Sequence, residues 1–82
     1  MKKAIIDIGT NSVKLIIGER SHGDAIKIIL DVNVITKLGE GMRKDGRLSE
    51  AAMARTAQAV VKFADFARSQ AVSYTHLTLP TK

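Results

Sequence analysis

Apolar and polar positions run through this 82-residue chain in two rhythms, and each rhythm predicts elements. Residues 3–9, KAIIDIG, form a short apolar run with β-branched enrichment that ends in turn chemistry. The run predicts a strand buried on both faces. Residues 12–19, SVKLIIGE, predict a second strand, and the polar RSHGD at 20–24 is long enough for a hairpin loop. From 25 to 36, Ile26, Ile28, Leu30, Val32 and Val34 alternate against Lys27, Asp31 and Asn33. That period of two predicts a long third strand with one face on a core. The rhythm then lapses: KLGEGMRKDGRL at 37–48 holds three glycines and no helical period, so it reads as a loop. Ser49 is placed to cap a helix, with Glu50 near the positive end of the helix dipole. Met53, Ala57, Val60, Ala64 and Ala67 then step by four and three, and Arg55, Gln58, Lys62, Asp65 and Ser69 repeat that spacing about half a turn away. The expected order is strand, strand, strand, helix.

The stretch 72–82, VSYTHLTLPTK, departs from this composition and carries the single Tyr and single Pro of the chain. With one codon chosen per residue, 72–81 can be written as a transposase-end sequencing adapter in one frame. Residues 72–82 are therefore expected to be a non-native tail kept out of fold reasoning, and residues 1–71 an incomplete N-terminal domain of a longer parent.

Hydrophobic residues make up 45% and charged residues 26%, an ordinary globular balance. No apolar run approaches the ~18 residues needed to span a bilayer, and Asp7 interrupts the only run that resembles a signal peptide. The absence of Cys excludes disulfide frameworks and thiolate metal sites and fits a cytoplasmic home. The net charge of +5, or +4 without Lys82, raises the question of nucleic acid. The basic residues are scattered apart from MRKDGR at 42–47, and Phe63 and Phe66 both sit in the helical pattern. Stacking platforms need aromatics beside the positive charge. Nucleic acid is not the expected partner, and a polyanionic small substrate explains the same charge.

The chemistry concentrates at 7–15, DIGTNSVKL. Asp7 ends a buried strand, and Gly9, Thr10, Asn11 and Ser12 make the turn into the next. Gly9 lets backbone approach a bound group closely. Successive amides in such a turn form an anion-binding nest, with the hydroxyls of Thr10 and Ser12 and the amide of Asn11 as further donors. Asp7 is suited to hold Mg²⁺ through water beside phosphate oxygens, and Lys14 adds positive charge if it faces the turn. A plain hairpin uses the same vocabulary. The carboxylate spent beside a donor-rich turn tips the balance toward phosphate. At 36–49, Gly39 and Gly41 flank Glu40 among Lys37, Arg43, Lys44 and Arg47; alone, that loop reads as a solvated segment. His22 lies in a hairpin turn and His76 in the tail, so neither is an expected ligand or base. Met53, Phe63 and Phe66 read as core.

Taken together, AIIDIGTNSVKLIIGE and VITKLGEGMRKDGRLSEAAMARTAQAVVKFADFA resemble the start of the exopolyphosphatase / guanosine pentaphosphate phosphohydrolase (Ppx/GppA) family. The resemblance covers residues 3 to 71 and is carried most specifically by the TKLGEG loop and the later GRLS. It implies an α/β fold: the N-terminal part of a ribonuclease-H-like domain of the actin and sugar-kinase superfamily, three antiparallel strands followed by one long helix. By that analogy Gly9, Thr10, Asn11 and Ser12 cradle phosphate, Asp7 stands near a divalent metal, and Lys37, Glu40 and Gly41 border the same cleft. The implied reaction is hydrolytic release of terminal phosphate from inorganic polyphosphate or guanosine pentaphosphate, with Mg²⁺ as cofactor and a homodimer as the parent's assembly.

Two departures from the family pattern bear on this. Lys14 and Lys37 stand where members commonly have Arg, which keeps the charge and loses the bidentate fork. The family's general-base Glu falls beyond this chain, and none of Glu19, Glu40 or Glu50 takes its place. No catalytic residue is therefore assigned within the chain, which is expected to be inactive alone. The fold also implies a parallel strand after the helix. Without it, the first strand is expected to present a long apolar edge. The alternatives are an ATP-dependent sugar or acid kinase of the same superfamily and a non-catalytic module that binds guanosine tetraphosphate.

Overall fold

The computed structural model of the chain describes residues 1–20, 23, 25–42, 44, 46–70, 72 and 74–79. Its elements are β1 (Lys2–Ile8), β2 (Ser12–Arg20), β3 (Ile26–Ile35), α1 (Glu50–Ser69) and β4 (Tyr74–Thr78). The sheet order is β3-β2-β1-β4, with β1–β2 and β2–β3 antiparallel and β4 parallel to β1. The three expected strands and the helix are all present. Most of the expected hairpin turn at 20–24, His22 included, lies outside the described residues, as does Arg43.

The core is small and one-sided. Ala4 and Ile6 of β1 and Val13, Leu15 and Ile17 of β2 are buried, and α1 lays Ala59 and Ala67 against them. The alternation along both strands puts these side chains on one face of the sheet. Burial of each Ile, Leu or Val there contributes about 1.5–3 kcal/mol. The expectation that β1 is buried on both faces is not met: Ile5, between the two buried positions, is 42% exposed. α1 covers one face only.

The helix face also differs from expectation. Ala52, Thr56, Ala59 and Ala67 are buried and Val60, Phe63 and Ala64 are partly buried, whereas Met53 and Ala57 are exposed. Small side chains won the contact at the N-terminal half of α1. Ala52, Thr56 and Ala59 are buried there, and the bulkier Met53 is turned outward. An alanine-rich helix offers several stripes at the same period, so spacing alone left the face ambiguous by about one position.

β3 departs furthest from its expected role. Leu30 packs against the core, but Val32 and Val34 stay exposed beside it. Leu30, Val32 and Val34 pair with Ile17, Leu15 and Val13, so they share the helix-side face. A register shift between Ile17 and Gly18 then pairs Gly18 with Ile28 and Arg20 with Ile26, leaving Ile29 as the extra residue of a β-bulge. One extra residue reverses the alternation, so Ile26 and Ile28 emerge on the opposite face from Leu30. A Cβ on Gly18 would stand 3.1 Å from Cγ2 of Ile26, so Gly18 leaves room for that crossing.

The edge of β1 is covered. β4 pairs with it from Lys3↔Tyr74 to Asp7↔Thr78, so the exposed edge expected from the sequence is corrected. The pairing residues lie within the stretch read as a tail. Their Tyr, Thr and Leu content suits a strand, and the parallel direction results from the helical crossover that precedes it.

Candidate functional site

The turn 9–12 lies where β1 hands over to β2, and the backbone explains its shape. The amide of Gly9 donates to the Ser12 carbonyl at 2.8 Å and closes the turn. A Cβ on residue 9 would stand 3.1 Å from that same carbonyl oxygen, so close approach is what requires glycine there. Thr10 and Asn11 are exposed at the tip. Among the described residues their amides donate no backbone hydrogen bond of their own.

Their carbonyls, in contrast, accept hydrogen bonds from a second segment. Thr36 and Lys37 both donate their amides to the Asn11 carbonyl at 3.0 Å, and Gly39 donates to the Thr10 carbonyl at 3.1 Å. The TKLGEG loop is thus docked on the turn through three backbone hydrogen bonds, which corrects the reading of that loop as merely solvated. Lys37 sits at φ 50, in the left-handed region, the single described non-glycine residue with positive φ. Such a residue costs about 1–3 kcal/mol and persists where its neighbours over-determine it. Gly41, at φ 72, makes the next bend without that cost, opposite the Ser49 side chain.

α1 anchors the loop from below. Ser49 is the N-cap: its Oγ accepts from the Ala52 amide at 3.1 Å and donates to the Glu40 carbonyl at 3.2 Å. Arg55 makes three contacts with the loop. Its Nε donates to the Thr36 carbonyl at 2.7 Å, and its Nη2 to the Lys37 carbonyl at 3.2 Å and Glu40 Oε1 at 3.3 Å. Glu40 is shared, since its other oxygen lies 3.9 Å from Lys37 Nζ. Arg55 was expected on the solvated helix face. Nothing in its spacing marks it out, because the loop that meets it is fixed by the tertiary fold.

The expected metal residue stands apart from this loop. Asp7 alternates with the buried Ala4 and Ile6 side, so it lies on the sheet face away from α1, next to its cross-strand partner Lys14. Its Oδ1 accepts from Thr78 Oγ1 at 2.7 Å. Among the described residues no three His, Cys, Asp or Glu gather as metal ligands. The donor set therefore fits Mg²⁺ only as an ion carrying most of its own shell, one carboxylate against phosphate oxygens and waters. Two concave regions of the surface lie elsewhere and are apolar. One, of about 260 Å³, is floored by Ile5, Ile16, Ile26 and Ile28; the other, of about 460 Å³, runs between β3 and Phe63 and Phe66 of α1. Both are uncovered faces of the sheet and neither touches the turn.

A mixed α/β sheet with its donor-rich turn between the first two strands defines a piece of an actin-like ATPase-fold domain. Comparison narrows this further. No family model matches the chain. Exopolyphosphatase 2 of Mycobacterium tuberculosis is 38% identical over 65 residues, which is 76% of this chain and 20% of that protein. A crystal structure of the Aquifex aeolicus Ppx/GppA phosphatase superposes with a TM-score of 0.88 at 32% identity, covering 96% of this chain and 26% of that one. An exopolyphosphatase from Cytophaga hutchinsonii gives a TM-score of 0.88 at 26% identity over 96% of this chain and 25% of its own. Over the matched residues the chain shares sequence and fold with proteins of the Ppx/GppA family. It spans about a fifth of the length of the curated relatives it matches.

Proposed function

We propose that this chain supplies one wall of a phosphate site in a phosphoanhydride hydrolase. The enzyme would release terminal phosphate from inorganic polyphosphate or guanosine pentaphosphate. The observation that carries the reading is the docking of the 36–41 loop on the carbonyls of Thr10 and Asn11. That docking occupies the carbonyls of Thr10 and Asn11 and leaves their amides, with the hydroxyls of Thr10 and Ser12, as donors, the polarity a phosphate needs. Gly9, Thr10, Asn11 and Ser12 would cradle the terminal phosphate, with Lys37 and Gly41 at its border. Asp7 would hold one side of a Mg²⁺ ion brought by the substrate, which offsets charge on the transferring group. A kinase of the same superfamily would use a similar turn for ATP.

Alone, the chain binds and does not turn over. A general base must be free to take a proton from the attacking water. Glu40, the acidic side chain nearest the turn along the loop, is instead committed to Arg55 and Lys37. Calorimetric titration with tripolyphosphate, guanosine pentaphosphate and ATP tests the reading. Binding of tripolyphosphate that weakens with salt, with no phosphate released, is the expected result. Binding of ATP alone would favour the kinase, and phosphate release by this chain would contradict its inactivity.

A further inference from the structure

We propose that Arg55 is a positioning residue for the phosphate site, holding Lys37 in its left-handed conformation so that the 36–41 loop stays docked on the turn. The proposal rests on the phosphate reading for its functional half only. Its structural half stands on contacts already described. Arg55 takes the carbonyls on both sides of the strained Lys37 peptide region, those of Thr36 and Lys37, while Asn11 takes the two corresponding amides. Residue 37 is thereby fixed from both ends, and φ 50 at a lysine becomes tenable. The helix supplies the rigid base: Arg55 lies beyond the Ser49 cap in the early turns of α1, and its neighbour Thr56 is buried.

The same guanidinium does a second thing. Glu40 puts a carboxylate beside a site meant for an anion, and Arg55 is 3.3 Å from it. With Arg55 holding Glu40, Lys37 can leave its looser 3.9 Å partner for an incoming phosphate without stranding a carboxylate. Without Arg55, Glu40 would compete with phosphate for Lys37. A lysine at 55 restores charge but lacks the planar fork that meets a carbonyl through Nε and a second carbonyl and a carboxylate through Nη2.

Three variants of the 82-residue chain separate these roles: Arg55→Ala, Arg55→Lys, and Arg55→Ala combined with Lys37→Gly. A strong intraresidue amide–Hα contact at residue 37 in NMR spectra reports positive φ, and amide exchange of Gly39 reports docking on Thr10. Arg55→Ala and Arg55→Lys are both expected to lose the residue 37 signature and speed Gly39 exchange at least about tenfold, the loss of one tenfold equilibrium factor. Helical circular dichroism should remain. Lys37→Gly in the Arg55→Ala background is expected to restore Gly39 protection, because glycine takes positive φ without help. Tripolyphosphate binding should weaken about tenfold in Arg55→Lys, a loss that restored charge alone would not produce. Unchanged residue 37 and Gly39 signals in both single variants would overturn the proposal. Should the unsubstituted chain not bind tripolyphosphate, the phosphate reading fails, and the exchange data still decide whether Arg55 holds the loop.

Discussion

Thr36 shows how much of this site is decided by single polar atoms. It is 1% exposed, its amide is bonded to Asn11, and its hydroxyl is the one buried side-chain polar atom without a partner among the described residues. A buried unpaired hydroxyl costs about 1–3 kcal/mol, and removing it by an isosteric change is neutral or stabilising. Thr36→Val is therefore expected to leave the thermal midpoint unchanged or raise it. A fall of more than about 4 °C, roughly 1 kcal/mol in a domain of this size, would show that the hydroxyl is bonded. At this scale the sequence was partly legible. The donors at 9–12 could be named from residue type, because turn chemistry is local. Arg55 could not, since its three acceptors belong to backbone and a carboxylate 15 to 19 residues earlier.

At the level of elements, the helix start joins stability to the site. Ser49 caps α1 and also holds the Glu40 carbonyl, so Ser49→Ala removes both. The expected loss is about 1 kcal/mol for the cap alone, a fall of about 4–8 °C in thermal midpoint. It should be accompanied by faster Gly39 exchange, and a stability loss without that change would place the cap outside the loop's support. β4 makes a second prediction. A chain ending at Val72 would uncover the pairing side of β1 from Lys3 to Asp7, and is expected to aggregate or melt earlier than the 82-residue chain. Equal midpoints and equal solubility would show that β4 adds nothing. The strands were legible from a period of two, and α1 from its cap and length. The bulge at Ile29 was not, because the apolar residues on both sides of it preserve the alternation in sequence while reversing it in space.

Across the whole molecule, α1 covers one face of the sheet over β1 and β2, while the β3 end of that face and the whole opposite face stay open. Ile5, Ile16, Ile26 and Ile28 line the face away from α1, and Val32, Val34, Phe63 and Phe66 line the open groove beside β3. No helix among the described residues is long and apolar enough to cross a membrane. What the molecule does complete is the end of the sheet where turn, loop and helix cap meet, joined by backbone hydrogen bonds and the Ser49 hydroxyl, none of which depends on the open faces. The central claim is that this end receives phosphate. Its most direct test is an amide chemical-shift titration of the 82-residue chain with tripolyphosphate, with and without Mg²⁺. Saturable shifts confined to residues 9–12 and 37–41, weakened by salt, and strengthened and extended to Asp7 by Mg²⁺, are predicted. Shifts spread over the exposed lysines, or none at the turn, would contradict it.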